Sequence, residues 1–542
     1  MSNRPIFTYQ TRIAMADEAT CALDAYASLH GRVERSLFAE WSAGHQIGKL
    51  KPAFQARFGI TARQFNAIRV GLEGKISSIK ERRPDLIAEG GSRVSKAEKV
   101  IRRLEKDAPG SNKLHQKRRR LQTLRHRVEA LKSAHERGVV HLCFGSRKLF
   151  RAQFDLQAND YASHEAWKAD WESERCRQFF VLGSQDETAG NQTCQAIVAA
   201  DGSLTLHLRL PDSLAKDGKH LVIPEVRFAY GHNALVAALA SSRKVESRTQ
   251  DGKPIKKRIG TAISYRFLRD EKGWRVFASV EAQRVEQVSH RMLGAFGVDV
   301  NADHLAVAET DHYGNLTGTR RIELPLVGKT ADQAKALIGD AAVLIAGLAK
   351  AAGKPVVIEQ LNFQKKKAEL ESVDPRQAKM ISSFACSKVA SSMKAACFRA
   401  GVESIEINPA YTSVIGAVEH AQKRGISVHM GAAFAIARRG LGLSERPTRR
   451  KVVTPVRNGG HVTFDLPVRN RSKHVWSFWS NVMTRLKAAH KEHYRSGAHR
   501  DAPPPLRPLK PVLGAPGSIT AQSRDANRLP HCSGDVLEDV PY

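Results

Sequence analysis

The spacing of apolar residues changes twice along the chain, and each change predicts a different kind of structure. Residues 5–13, PIFTYQTRI, alternate and predict one short strand. From Ala16 to about Lys80 the spacing is helical, with a turn at FGIT (58–61) and a fresh helix from Thr61. The next stretch, to Arg137, predicts a helical hairpin. Ser95 and Glu98 have the spacing of a capping box, APGSN (108–112) breaks the helix, and Leu114, Leu121, Leu124, Val128 and Leu131 form a heptad-like stripe. Between 139 and 290 the period falls to two. Leu204, Leu206, Leu208 and Leu210 alternate with Thr205, His207 and Arg209 after an Asp201-Gly202 turn, and residues 261–282 read as two strands joined by a four-residue turn. This middle region is expected to be antiparallel β, closed as a small barrel.

After residue 296 the order becomes strand, turn, strand, and then helices alternating with strands. Thr330 and Gln333 cap the first long helix, whose apolar stripe is Leu337, Ile338, Ala341, Leu344, Ile345 and Leu348. The strands KPVVIEQLNF (354–363) and GVESIEINP (401–409) flank a further helix. That alternation predicts an α/β domain with a mixed sheet. The proline-rich run from residue 501 cannot pack, so 501–542 is expected to be a disordered tail.

Composition adds a partner to this outline. At 542 residues the chain exceeds one compact core, and 42% hydrophobic residues exclude global disorder. Lys and Arg number 86 against 54 Asp and Glu, a formal net charge of +32, which points to a polyanion. The excess is clustered. Residues 91–137 hold 15 Lys/Arg against 5 Asp/Glu, and residues 435–500 hold 15 against 3. Lys117, Arg118, Arg119 and Arg120 in the first cluster, with Arg438, Arg439, Arg449, Arg450 and Lys451 in the second, are candidate phosphate contacts. The plain alternative for the hairpin is a solvated coiled coil. Trp476, Phe478 and Trp479 read as the core face of a helix rather than a stacking platform. Seven scattered cysteines without a CxxC pair argue against a zinc ribbon or a disulfide framework, and so no zinc is expected. With no apolar run long enough to span a bilayer, the reading is a cytoplasmic protein that uses no membrane, as monomer or homodimer.

One charge is out of place in that picture. Asp299 sits inside the apolar strand FGVDV (296–300), and Glu359 ends the apolar run PVVIE (355–359). Carboxylates at the ends of neighbouring strands can converge on divalent metal, where paired ions stabilise a phosphodiester displacement. Mg²⁺ suits such a site, since it binds through a few carboxylates and substrate phosphates. Two ordinary strand-end acids are the bland alternative.

FGVDVNADHLAVAETD, VVIEQLNF and EINPAYTS occur in an order that resembles the three blocks of a RuvC-like nuclease domain. Their pattern is similar to the TnpB/OrfB family of insertion sequences, relatives of type V CRISPR effectors. The resemblance implies a multidomain α+β chain: an N-terminal strand joining the barrel (1–15), a helical lobe (16–138), a wedge-like β-barrel (139–290) and an RNase H-like α/β nuclease domain (291–500). It also implies a guide RNA, a target DNA and metal-dependent cleavage, with Asp299 and Glu359 as the first two catalytic acids and metal ligands. Where the family has a third aspartate this chain has His429, in SVHMGAAFAIARRG, and it lacks the family's zinc ribbon. The resemblance therefore implies His429 as third ligand, with Mg²⁺ or Mn²⁺, in a divergent branch. Two other readings stay open: a guided DNA-binding protein that represses without cutting, and a transposase or resolvase acting without RNA.

Overall fold

The structure is a computed structural model that describes residues 4–215, 218–248, 254–283, 285–326, 328–360, 386–445, 451–456 and 460–495. The expected tail therefore lies outside the described residues, as does part of the segment after Glu359. The chain divides between Arg284 and Val285 into two compact units. Among the described residues no helix is long and apolar enough to cross a membrane.

The first unit opens with β1 (Ile6–Arg12), followed by α1 (Asp17–Ser42), α2 (Lys51–Phe58), α3 (Ala62–Asp107) and α4 (Asn112–Glu136). The turn at Gly59 and the restart at Thr61 are as the sequence predicts, and Thr61 makes a reciprocal capping box with Gln64. The second expected cap is absent. Ser95 and Glu98 lie inside α3, which runs unbroken for 46 residues through Pro84. A Ser-x-x-Glu spacing caps only where the chain enters a helix, and nothing before Ser95 breaks this one. Glu98 instead reaches across the hairpin to Arg125 at 2.7 Å. Val100, Ile101, Leu104 and Leu114 form the hairpin's apolar seam. Arg83, buried in α3, donates to the carbonyls of Ala134 (2.7 Å) and Val139 (2.6 Å), so a cation stands where the orphan carbonyls of α4 need one.

Short helices α5 (Arg147–Ala152) and α6 (His164–Arg175) lead into β2 (Gln178–Val181), β3 (Cys194–Val198), β4 (Leu204–Arg209), β5 (His220–Val226), α7 (His232–Ala240), β6 (Arg243–Arg248), β7 (Pro254–Ile259), β8 (Ile263–Asp270) and β9 (Gly273–Glu281). The β8–β9 connection is two residues, not four. The expected barrel does not appear among the described residues. They form separate antiparallel sheets, β1-β9-β8-β2, β3-β4-β5 and the pair β6-β7. The alternation is as expected, with Leu204, Leu206 and Leu208 buried from one sheet and Val276, Ala278 and Val280 from another in a single core. Period two reports one buried face per strand. It does not distinguish a closed ring from stacked sheets.

His30 on α1 is fully buried, and burial pushes its imidazole down to about 4, with Lys75 adding to the effect and Glu34 opposing it. The folded value lies below the unfolded 6.5, so the neutral ring is favoured. Its contribution is present above pH 6.5 and is lost as pH falls toward 4. Denaturant unfolding of the full chain at pH 7.5 and 4.5 is expected to show the first unit losing on the order of 2–3 kcal/mol from this group. His30→Gln should remove that part of the pH dependence; an unchanged slope would reject the assignment.

The second unit is built on one mixed sheet. Its strands are β10 (Phe296–Val300), β11 (His304–Thr310), β12 (Leu316–Glu323), β13 (Val356–Glu359) and β14 (Ser404–Ile407), in the order β12-β11-β10-β13-β14. β10 pairs antiparallel with β11 and parallel with β13. The strand β12 is an addition to the predicted order. Helices α8 (Ala331–Ala351) and α9 (Cys386–Ala400) cover one face, where Phe296, Val298, Val356 and Ile358 meet Ile338, Ile345 and Met393. Thr330 and Gln333 form the predicted capping box of α8.

The opposite face receives α10 (Thr412–Ile415), a π-helical turn (Gly416–Ala421), α11 (Gln422–Arg424) and α12 (Val428–Gly440). All residues from Gly431 to Ala437 are buried. A Cβ at Gly297 would overlap the carbonyl oxygen of Ala433, so α12 lies with its backbone directly on the central strand. The hairpin β15 (Lys451–Pro455) and β16 (His461–Asp465) then packs with α13 (Val475–Arg495) through Val452, Val462, Phe478, Trp479 and Val482. Phe478 and Trp479 thus face the core as predicted, while Trp476 is exposed.

Candidate active site

Val298 pairs with Ile358 across the parallel strands β10 and β13. The next residue on each strand is Asp299 and Glu359, so two carboxylates stand side by side at the same end of adjacent strands. Side chains alternate along a strand, and Gly297 faces α12 from two residues earlier; Asp299 therefore shares that face.

Asp299 is 7% exposed. Asn301 Nδ2 donates to its Oδ2 at 3.0 Å, and His429 Nδ1 lies 3.4 Å from the same oxygen. His429 occupies the first turn of α12, whose N-cap Ser427 accepts from the Met430 backbone N–H. The His429 side chain remains half exposed. The chain thus brings together a buried carboxylate, a second carboxylate on the neighbouring strand and an imidazole open to solvent. Among the described residues, however, no three His, Cys, Asp or Glu groups gather tightly enough to form a finished metal cage.

Three further residues belong to this surface: Thr412 and His304, which the sequence does not single out, and Arg439, expected there as a phosphate contact. The buried Thr412 hydroxyl donates to Glu359 Oε1 and lies 3.0 Å from the Pro409 carbonyl. Thr412 follows Tyr411, which adopts a left-handed backbone (φ 64°), so EINPAYTS is a strained turn that sets a hydroxyl under the carboxylate. Arg439, near the end of α12, donates to the carbonyls of Asn408 and Ala410 and braces that turn. Burial lowers its pKa from the ordinary value, while the nearby Glu359 and Glu445 carboxylates act in the opposite direction. His304 on β11 is buried, and its ring stands edge-on to His429 with centroids 5.1 Å apart. Its Nδ1 lies 2.7 Å from Asp303 Oδ1, and Arg321 reaches Asp303 Oδ2 at 3.2 Å. The His304 contact, foremost, holds the Asp303 carboxyl below its usual range.

The basic candidates have separate placements. In the first unit, Arg119 and Arg120 are exposed on α4, Lys117 is half-buried, and Arg118 pairs with Glu105 at 2.8 Å. In the second, Arg438 turns inward, donating to the Gly314 carbonyl at 2.6 Å and pairing with Glu445. Arg438 and Arg439 are thus committed to protein groups. Lys451 is exposed at the start of β15, and Arg449 and Arg450 lie outside the described residues.

No protein family and no curated protein matches the sequence. Among solved structures, T. thermophilus RuvC in complex with Holliday junction substrate is similar over 27% of this chain and 90% of that chain, with 15% identity and a TM-score of 0.20. A likeness this slight carries no argument about chemistry.

Proposed function

We propose that the second unit is a metal-dependent nuclease centre, and that the protein cuts DNA selected by a bound guide RNA. The observation that carries the nuclease reading is the pairing of Asp299 with Glu359 at adjacent strand ends, with His429 beside Asp299. The donor set fits a hard divalent ion. Mg²⁺ takes one or two protein carboxylates and completes its shell with water and phosphate oxygens, so no all-protein cage is required. Asp299 and Glu359 would be the oxygen ligands, and His429 the third, with an imidazole better suited to Mn²⁺ than to Mg²⁺. The ion would supply charge neutralisation at the phosphate and acidify the attacking water.

The chain's own groups set up this chemistry. Asn301 fixes the rotation of Asp299 through Oδ2, the same oxygen that His429 Nδ1 approaches. Thr412 fixes Glu359 in the same way. Burial of Asp299 beneath α12 excludes bulk water from one side of the site, while the exposed edge of His429 marks the side from which a phosphate enters.

Support for guidance is chemical and positional. The first unit carries a helical hairpin whose stretch 91–137 has a net charge of +10, a suitable surface for a nucleic-acid backbone. The order of helical lobe, β region and nuclease unit also resembles the TnpB/OrfB arrangement. Purified protein is expected to carry RNA, and to cut DNA complementary to that RNA when Mg²⁺ or Mn²⁺ is added. Replacing Lys117, Arg118, Arg119 and Arg120 together by Gln should reduce the salt slope of RNA binding by roughly 3. Protein that retains no RNA, or whose affinity ignores salt, would remove the guided reading.

The second reading is a guided binding protein that does not cut. It is favoured by the imidazole in place of a third carboxylate. Binding of matched DNA without cleavage in either metal would decide for it.

A further inference from the structure

His304 opens the apolar run HLAVA of β11 with a polar ring, and that ring is buried. Burying an imidazole is costly unless its nitrogens are engaged. Asp299 stands opposite Ala306 in the β10–β11 register, so His304, two residues before Ala306, lies on the same face of the sheet. Further along that face Ala306 and Ala308 meet Ala433 and Phe434 of α12. Small residues there let the helix sit close, and the larger ring of His304 stands where the helix begins, against His429.

The ring is held from behind. An ionised carboxylate can only accept, so the 2.7 Å contact between His304 Nδ1 and Asp303 Oδ1 makes Nδ1 the donor and keeps the ring from turning over. Asp303 is itself fixed. Arg321 reaches its other oxygen at 3.2 Å while pairing with Glu323 at 2.6 Å, and the Asp303 carbonyl accepts from the Leu324 N–H at 2.7 Å. The Asn301 N–H donates to the His304 carbonyl at 3.0 Å. Asn301, which holds Asp299, and His304, which touches His429, are therefore the two ends of one tight turn. In front of His304, the half-exposed His429 side chain is met at 80°, the edge-to-face arrangement that aromatic pairs favour.

We propose that His304 is a positioning residue, anchored by Asp303, that holds the His429 ring beside Asp299 so that both can take one divalent ion. The proposal rests on the metal-site reading of the second unit. His304 acts through His429, as groups that orient a metal-ligating imidazole do. A residue that only fills space under α12 needs no carboxylate at its back, and none that is pinned in turn by an arginine.

The test reads binding of Mn²⁺ alone to full-length protein freed of nucleic acid, through loss of the free ion's electron paramagnetic resonance signal. His304→Ala should weaken the site that Asp299→Ala removes by about tenfold. Asp303→Ala should weaken it by about fivefold, the effect of one lost hydrogen bond. In a His429→Ala background neither change should have a further effect, whereas a contribution from packing or from the Asp303 charge would persist there. Should His304→Ala fail to fold, Asp303→Ala carries the same test, because its side chain is exposed. Parental Mn²⁺ affinity in either folded variant would overturn the inference and leave the nuclease reading intact. So would losses of equal size with and without His429, which would make His304 a packing residue, and so would parental affinity in His429→Ala itself. If the parent binds no Mn²⁺, or Asp299→Ala binds it as the parent does, the metal reading fails and the positioning role fails with it.

Discussion

Asp299→Ala is expected to reduce DNA cleavage by on the order of a thousandfold or more, while guide-dependent DNA binding survives. The carboxylate is the most buried of the proposed ligands, and alanine leaves nothing there to hold a divalent ion. Loss of that ion would remove several kcal/mol of transition-state stabilisation. His429→Ala should nearly abolish cutting as well. His429→Asp should preserve or raise it in Mg²⁺, since a third carboxylate returns the negative charge an imidazole lacks, and wild-type protein should favour Mn²⁺ over Mg²⁺. Thr412→Val, which keeps the shape and deletes the hydroxyl, should lower activity on the order of 10–100-fold, the usual effect of removing a group that orients a ligand. Gel assays of matched DNA in both metals, with binding measured in parallel, check all four. An Asp299→Ala protein that cuts like its parent would sink the assignment of the site. A normal His429→Ala would instead shift the third ligand elsewhere, with Asp465 in β16 the next to test.

Gly297→Ala should be among the most destabilising single changes in the second unit, by about 3 kcal/mol or more. The added methyl would collide with the Ala433 carbonyl oxygen and crowd the Ala437 nitrogen. Both are backbone atoms of α12, so no rotamer change relieves the clash; strand and helix must part. The contrast is Gly347 on the exposed side of α8, where a Cβ meets nothing within 4 Å. Gly347→Ala should stabilise by roughly 0.5–1 kcal/mol through helix propensity. Denaturant midpoints of the two variants, read against the parent, test the pair. If Gly297→Ala unfolds at the parental midpoint, α12 does not lie on the strand as described.

The paired acids were legible in the sequence because each breaks a local rule. Asp299 interrupts a strand that is otherwise apolar, and Glu359 ends another, so their oddity is visible without coordinates. The caps at Thr61 and Thr330 were equally local, although only the second was recognised as a capping box. The residues that support the acids were not legible. Thr412 is one hydroxyl in a turn, Arg439 one cation in a basic run, and His304 one polar residue on a buried strand. Their significance arises from what folds against them. Arg438 and Arg439 show the same limit in reverse: charge clustering proposed phosphate contacts, whereas both side chains brace carbonyls of their own unit. Strand β12 was overlooked because TGTRRIE has a weak apolar period on an edge whose burial pattern is mostly exposed.

The seating of α12 has a consequence for how this site can change over generations. Its clearance from the sheet is set by Gly297, Ala433 and Ala437, and its crossing with the π-helical turn by Gly416 against Gly431. None of these contacts involves the side chain at 429, which projects from the first turn and is half in solvent. Position 429 is thus an interchangeable fitting on a fixed mount. If position 429 supplies the third ligand as proposed, a lineage could exchange carboxylate for imidazole there, and with it metal preference or cutting, without renegotiating the packing that keeps the unit folded.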